Sequence, residues 1–145
     1  MFFYDPAEIA INGEKKVPLI MYSYALGARA RTLVRQSQRE MVPPDSLAAV
    51  LEYIIQFPEI KDNISVLAKK AGVSVPHFCA LFKFWFKCSP GQCRLNARME
   101  RACYYLKCRS HTVKEVGILV GYDDPYQFSR IFRKHMGVSP AKWRG

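Results

Sequence analysis

The sequence predicts an all-α fold in which two helix-turn-helix subdomains are joined by a long connecting helix, with a short N-terminal arm or hairpin in front. Three features of the chain lead there. Cap and stop residues bracket apolar runs whose spacing is helical rather than alternating. The pattern from Ile64 to Pro90 reappears from Val113 to Pro140. Charge is uneven: residues 1 to 45 carry six Lys/Arg against five Asp/Glu, a net of +1, whereas residues 46 to 145 carry sixteen against seven, a net of +9.

Bulk properties narrow the function. A chain of 145 residues that is 50% hydrophobic can bury the core of one ordinary domain or two very small ones. Its formal charge of +10 calls for a polyanionic partner, either nucleic acid or an anionic membrane surface. No stretch approaches the ~18 to 20 apolar residues of a membrane span, and the N-terminus lacks the basic-then-apolar order of a signal peptide, so a cytoplasmic protein is expected. Cys79, Cys88, Cys93, Cys103 and Cys108 are odd in number and form no C-x-x-C. Reduced, mostly buried thiols are expected, with no metal and no cofactor.

The elements follow in order. In residues 1 to 24, Asn12-Gly13 separates two partly apolar runs, a hairpin signal weakened by Pro18. Ala25 to Met41 reads as a basic helix closed by Pro43-Pro44. Together, residues 1 to 45 form an arm and linker. Asp45 can cap a helix with Leu47, Val50, Leu51, Ile54 and Ile55 on one face. Asn63 caps Ile64 to Ala71, and Gly72 stops it. Ser74 caps a third helix carrying Phe78, Leu81, Phe82 and Trp85. Ser89, Pro90 and Gln92 have the form of a capping box that opens a helix running to about Lys107, roughly 26 Å at ~1.5 Å per residue. Thr112 and Glu115 form a second such box, and Gly121 ends the short helix that follows. Asp124, Pro125 and Gln127 then restart a helix with Phe128, Ile131 and Phe132 inward, leaving Tyr126, Ser129, Arg130 and Arg133 on other faces.

The repeat ties these pieces together. Ile64 matches Val113, Leu67 matches Val116, Ala68 matches Gly117 and Gly72 matches Gly121. With one residue added after the glycine, Phe78 pairs with Phe128, Phe82 with Phe132, Lys83 with Arg133, and Ser89-Pro90 with Ser139-Pro140. Two units of one kind are therefore expected, each a helix, a glycine turn and a second helix. Gly117, costing ~1 kcal/mol relative to alanine inside a helix, suggests a close helix crossing.

Residues 46 to 145 resemble the DNA-binding domain of the AraC/XylS family of bacterial transcription regulators. The matching stretches are LAKKAGVSVPHFCALFK, RMERACYYL and GYDDPYQFSRIFRKHMGVSPAKWR. The resemblance implies a homeodomain-like first unit over residues 46–88, a connecting helix over 89–108 and a second unit over 109–145. It also implies double-stranded DNA as partner, with the second helix of each unit in a major groove. Base reading falls to Tyr126, Gln127, Ser129 and Arg130 in the second unit, and to Pro76, His77, Cys79 and Ala80 in the first. Arg130 is the best placed by chemistry, since a guanidinium can bond guanine O6 and N7 together, unless Asp123 or Asp124 pairs with it. The apolar first set cannot make such bidentate bonds, so weaker discrimination is expected there. Phosphate contacts are assigned to Lys83, Lys87, Arg94, Arg98, Arg133, Lys134 and Lys142, with the helix starts at Ser89 and Ser139. Arg101 and Tyr104 to Leu106 are read as packing or helix-surface positions.

A regulator of transcription without catalysis is the leading expectation, acting as a monomer or weak dimer and as an activator that contacts RNA polymerase. An enzyme using Cys88, Cys93 or Cys103 is disfavoured because none has an evident base or zinc partner. A protein-interaction regulator with weak DNA binding is the other alternative, supported by the apolar first recognition surface. Forty-five residues are too few for the sensing domain that such regulators usually carry, so no inducer pocket is expected.

Overall fold

The computed structural model describes residues 43–145, which contain seven helices: α1 (Asp45–Gln56), α2 (Ile64–Lys70), α3 (Val75–Phe86), α4 (Pro90–Cys108), α5 (Val113–Leu119), α6 (Pro125–Met136) and α7 (Pro140–Arg144). The hairpin and basic helix expected before residue 43 lie outside the described residues.

Most starts fall where the side chains can satisfy free amides. Asn63 Oδ1 accepts from the Val66 amide at 3.0 Å, and Ser139 Oγ from the Lys142 amide at 3.3 Å. The Thr112–Glu115 box closes in both directions, at 3.2 and 2.6 Å. Three expectations are corrected. Pro44 holds the cap position of α1, and Asp45 sits in the first turn, where its charge faces the amide end of the helix. Ser74 precedes α3 without a side-chain cap bond. Ser89 Oγ does accept from the Gln92 amide, but the Gln92 side chain turns along the helix to Asn96 Oδ1 at 2.9 Å, so that box is half formed.

The repeat is realised in three dimensions. α2 and α5 each have seven residues, and α3 and α6 each have twelve. Gly72 and Gly121 make the equivalent turns, with φ of +73° and +96°. After each, a backbone amide returns to the preceding helix, Val73 to Ala68 at 3.2 Å and Tyr122 to Gly117 at 2.9 Å. Each unit has its own core. In the first, Leu51, Ile54 and Leu67 surround Phe78, Phe82 and Phe86, one turn apart, with adjacent rings 5.5 and 4.6 Å between centroids. In the second, Phe128 and Phe132 pack with Val116, Val120 and Tyr122. Gly117 marks the expected crossing, because a Cβ there would lie 3.2 Å from the Phe128 side chain.

α4 joins the two. Its nineteen residues span roughly 28 Å. Cys93 enters the first core, and Met99, Ala102, Cys103 and Leu106 enter the second. The cysteines depart from expectation in part. Cys88 and Cys93 lie side by side across the turn from α3 into α4, their Cα atoms 6.5 Å apart, where left-handed Lys87 and the Ser89 cap fold the chain back. Cys103 is buried, and burial pushes its thiol up to about 12, whereas Cys79 and Cys108 are exposed. Among the described residues, no helix is long and apolar enough to cross a membrane, and no group of three or more His, Cys, Asp or Glu could hold a metal ion.

Candidate nucleic-acid interface

α6 is amphipathic because Phe128 and Phe132 anchor one side in the second core. At ~100° per residue, Ser129, Arg133, Tyr126, Arg130, Lys134 and Gln127 then fall within one outward arc. All are exposed except Ser129, which is half-buried, and Tyr126 retains 86% of its surface. The start of the helix is held by Asp124 Oδ1, which accepts from the Tyr126 amide at 2.9 Å. Asp123 instead pairs with Lys61. Both carboxylates that could have neutralised Arg130 are thus occupied elsewhere, and its guanidinium points to solvent with a cationic neighbour on either side. Ser129, Arg130, Arg133 and Lys134 line an open depression of about 580 Å³, completed by Gly137 and Ser139.

α3 repeats the geometry with different chemistry. Phe78, Phe82 and Phe86 fix its inner side, so Pro76, His77, Cys79, Ala80, Lys83 and Lys87 share the exposed arc. Phe84 lies on that arc too, 53% exposed, with the Lys87 ammonium 5.1 Å from its ring centroid. Reading the residues one by one missed it. The repeat held the signal, because the offset that pairs Phe78 with Phe128 also pairs Phe84 with Lys134.

Two basic residues lie elsewhere than expected. Arg94 is half-buried, and its Nη1 donates to the Asp62 carbonyl at 2.6 Å; burial, then the nearby Arg98 charge, lowers its pKa. Arg98 Nε donates to the Pro58 carbonyl at 2.6 Å, and its guanidinium stacks 5.2 Å from the Tyr122 ring centroid. Both face the α1–α2 connection, whose carbonyls lack helical partners and are satisfied by guanidinium donors. Lys83, Lys87, Arg133, Lys134 and Lys142 remain exposed. Arg101, read as a packing position, bonds Glu59 and the Gln56 carbonyl.

Two stacked helix pairs with outward second helices, joined by one long helix, define a double helix-turn-helix DNA-binding domain, a class that acts by binding and not by catalysis. Comparison with known proteins agrees. A family model described as Helix-turn-helix domain matches residues 67–145. Over 78 residues the chain is 41% identical to the MmsAB operon regulatory protein of Pseudomonas aeruginosa, covering 54% of this chain and 25% of that protein. Over 82 residues it is 30% identical to the probable transcription factor PqrA of Proteus vulgaris, covering 57% of this chain and 67% of that one. Among solved structures, the DNA-binding domain of AdpA in complex with a target DNA superposes with a TM-score of 0.66 at 27% identity, over 70% of this chain and 91% of that one. The chain belongs to the AraC/XylS family of transcription regulators.

Proposed function

We propose that this chain binds double-stranded DNA sequence-specifically and regulates bacterial transcription from the cytoplasm, placing α3 and α6 in two successive major grooves. The observation that carries this reading is the matching outward arc on α3 and α6, one toward each end of α4. A rod of roughly 28 Å with side chains suits two grooves ~34 Å apart. Tyr126, Gln127, Ser129 and Arg130 read base edges, Arg130 through a two-bond contact with guanine. Pro76, His77, Cys79 and Ala80 let α3 approach the groove closely and meet thymine methyls, with less discrimination. Lys83, Lys87, Arg133, Lys134 and Lys142 hold phosphates, with the starts of α4 and α7. Arg94 and Arg98 are left out of that set, because their guanidinium groups are half-buried as well as bonded within the protein, whereas Lys87, which bonds the Phe84 carbonyl, stays exposed. The regulator acts as a monomer or weak dimer and contacts RNA polymerase.

Selection of bound duplexes from a random pool tests the proposal. The expected motif has two parts about one helical turn apart, with the part under α6 more constrained. Failure to enrich any motif would overturn the reading, and equal or stronger constraint under α3 would overturn the asymmetry.

A further inference from the structure

The α1–α2 connection touches both units. On one side it is gripped by Arg94, Arg98 and Arg101, spaced so that all three lie on one face of α4. Besides the bonds to Asp62 and Pro58, Arg101 Nη2 donates to the Gln56 carbonyl at 2.8 Å and its Nη1 to Glu59 Oε2 at 3.1 Å. On the other side the connection meets the turn of the second unit. A Cβ on Gly121 would lie 2.7 Å from the Glu59 carbonyl oxygen and 3.0 Å from Arg98 Nη2, so this approach and the φ of +96° both require glycine. Lys61 reaches Asp123. Arg98 stacks on Tyr122, whose ring lies 5.7 Å from that of Phe128 in α6.

These contacts make a continuous path from the first unit to α6 that does not run along the α4 backbone. The Lys61–Asp123 pair is too exposed to hold two units by itself. The guanidinium bonds and the Gly121 approach are less solvated and more numerous. We infer that the α1–α2 connection is an inter-unit strut that fixes the relative angle of α3 and α6, and that Arg98, Arg101 and Gly121 are positioning residues setting which half-site spacing the protein accepts. The inference rests on the DNA-binding reading above for its consequence, though not for the strut itself. One inserted base pair rotates a half-site by roughly 35° and shifts it by ~3.4 Å. A strutted pair of helices cannot follow that change, whereas a pair joined through α4 alone can flex toward it.

The test uses the full chain with Arg98→Gln and Arg101→Gln together, and Arg101→Gln alone should the double variant lose its far-UV helical signal. Two readouts are taken. In DNA-free protein, spin labels attached through ketone side chains at positions 69 and 114 report the distance between units, and the distribution should broaden at least twofold in the variant. On DNA, wild-type affinity should fall about tenfold or more for spacers one base pair longer or shorter than the selected one. In the variant that ratio should shrink to about twofold, while affinity for the selected spacer falls less. An unchanged distribution width, or equal loss of affinity on all spacers, would overturn the inference. Broadened distances in a protein that selects no bipartite site would uphold the strut and sink the DNA-binding proposal instead.

Discussion

Arg130 owes its availability to its neighbours' occupations. Asp124 is spent on the helix start and Asp123 on Lys61, so neither offsets the guanidinium. Arg130→Ala should therefore lower affinity about 10- to 100-fold for the selected site and relax selectivity at one position under α6, while Arg130→Lys should restore phosphate-like attraction without the selectivity. Mobility shifts against point-substituted sites would show both effects. His135, on the inner side of α6, predicts a pH effect. Its Nε2 is buried without a hydrogen-bond partner among the described residues, and burial lowers its pKa below the ordinary 6.5. The folded state then binds fewer protons than the unfolded state between the two values, so its stabilising effect is complete above about pH 6.5 and is lost as pH falls through the folded value. Urea midpoints should drop over that window, and His135→Gln should flatten the drop. At this scale the sequence was only partly informative. Arg130 was legible because its chemistry and spacing are local. Arg94 and Arg98 were not, since what a guanidinium faces depends on a connection more than thirty residues upstream.

Caps were legible at Asn63, Thr112, Asp124 and Ser139, where side chain and amide lie within three residues of each other, and were misread at Asp45 and Ser74. Thr112 and Glu115 formed as the sequence indicates, and this box should govern α5. Thr112→Ala should cost about 1 kcal/mol, read by thermal or urea unfolding. The backbone bond from Thr112 is the first cause holding the Glu115 carboxyl below its ordinary value of 4.5. That contribution is present above the unfolded value and lost as pH falls through the folded one, so Glu115→Gln should remove part of the acid sensitivity below about pH 4.5. Gln92 shows where local reading stops. Its partner could be the Ser89 amide or a side chain one turn on, and packing of α4 decides in favour of Asn96. The stripe of α3 likewise shifted: Phe86 joins Phe78 and Phe82 at the centre, while Leu81 and Trp85 stay at the rim. Helical spacing alone allows either set. Phe82→Ala should cost about 3 to 5 kcal/mol, measured by equilibrium unfolding.

Across the whole molecule, the repeat made the architecture readable. Matching glycines and Ser-Pro pairs signal two units without any knowledge of their packing, but not the strut between them, which is built from backbone carbonyls that carry no sequence signature. With Arg94 and Arg98 turned inward, about five basic side chains remain for phosphate. Affinity should then fall by roughly two to three decades between 50 and 200 mM salt, and a plot of log K against log salt should have a slope near −4 to −5. The two cores have a further consequence. Among the described residues, only α4 contributes to both, Cys93 at one end and Met99 to Leu106 beyond it, and no buried side chain of α3 packs against one of α6. Substitutions on one outward helix therefore leave the interior of its sister untouched, so on the proposed reading half of the recognition surface can be redrawn while the other half holds the protein on DNA.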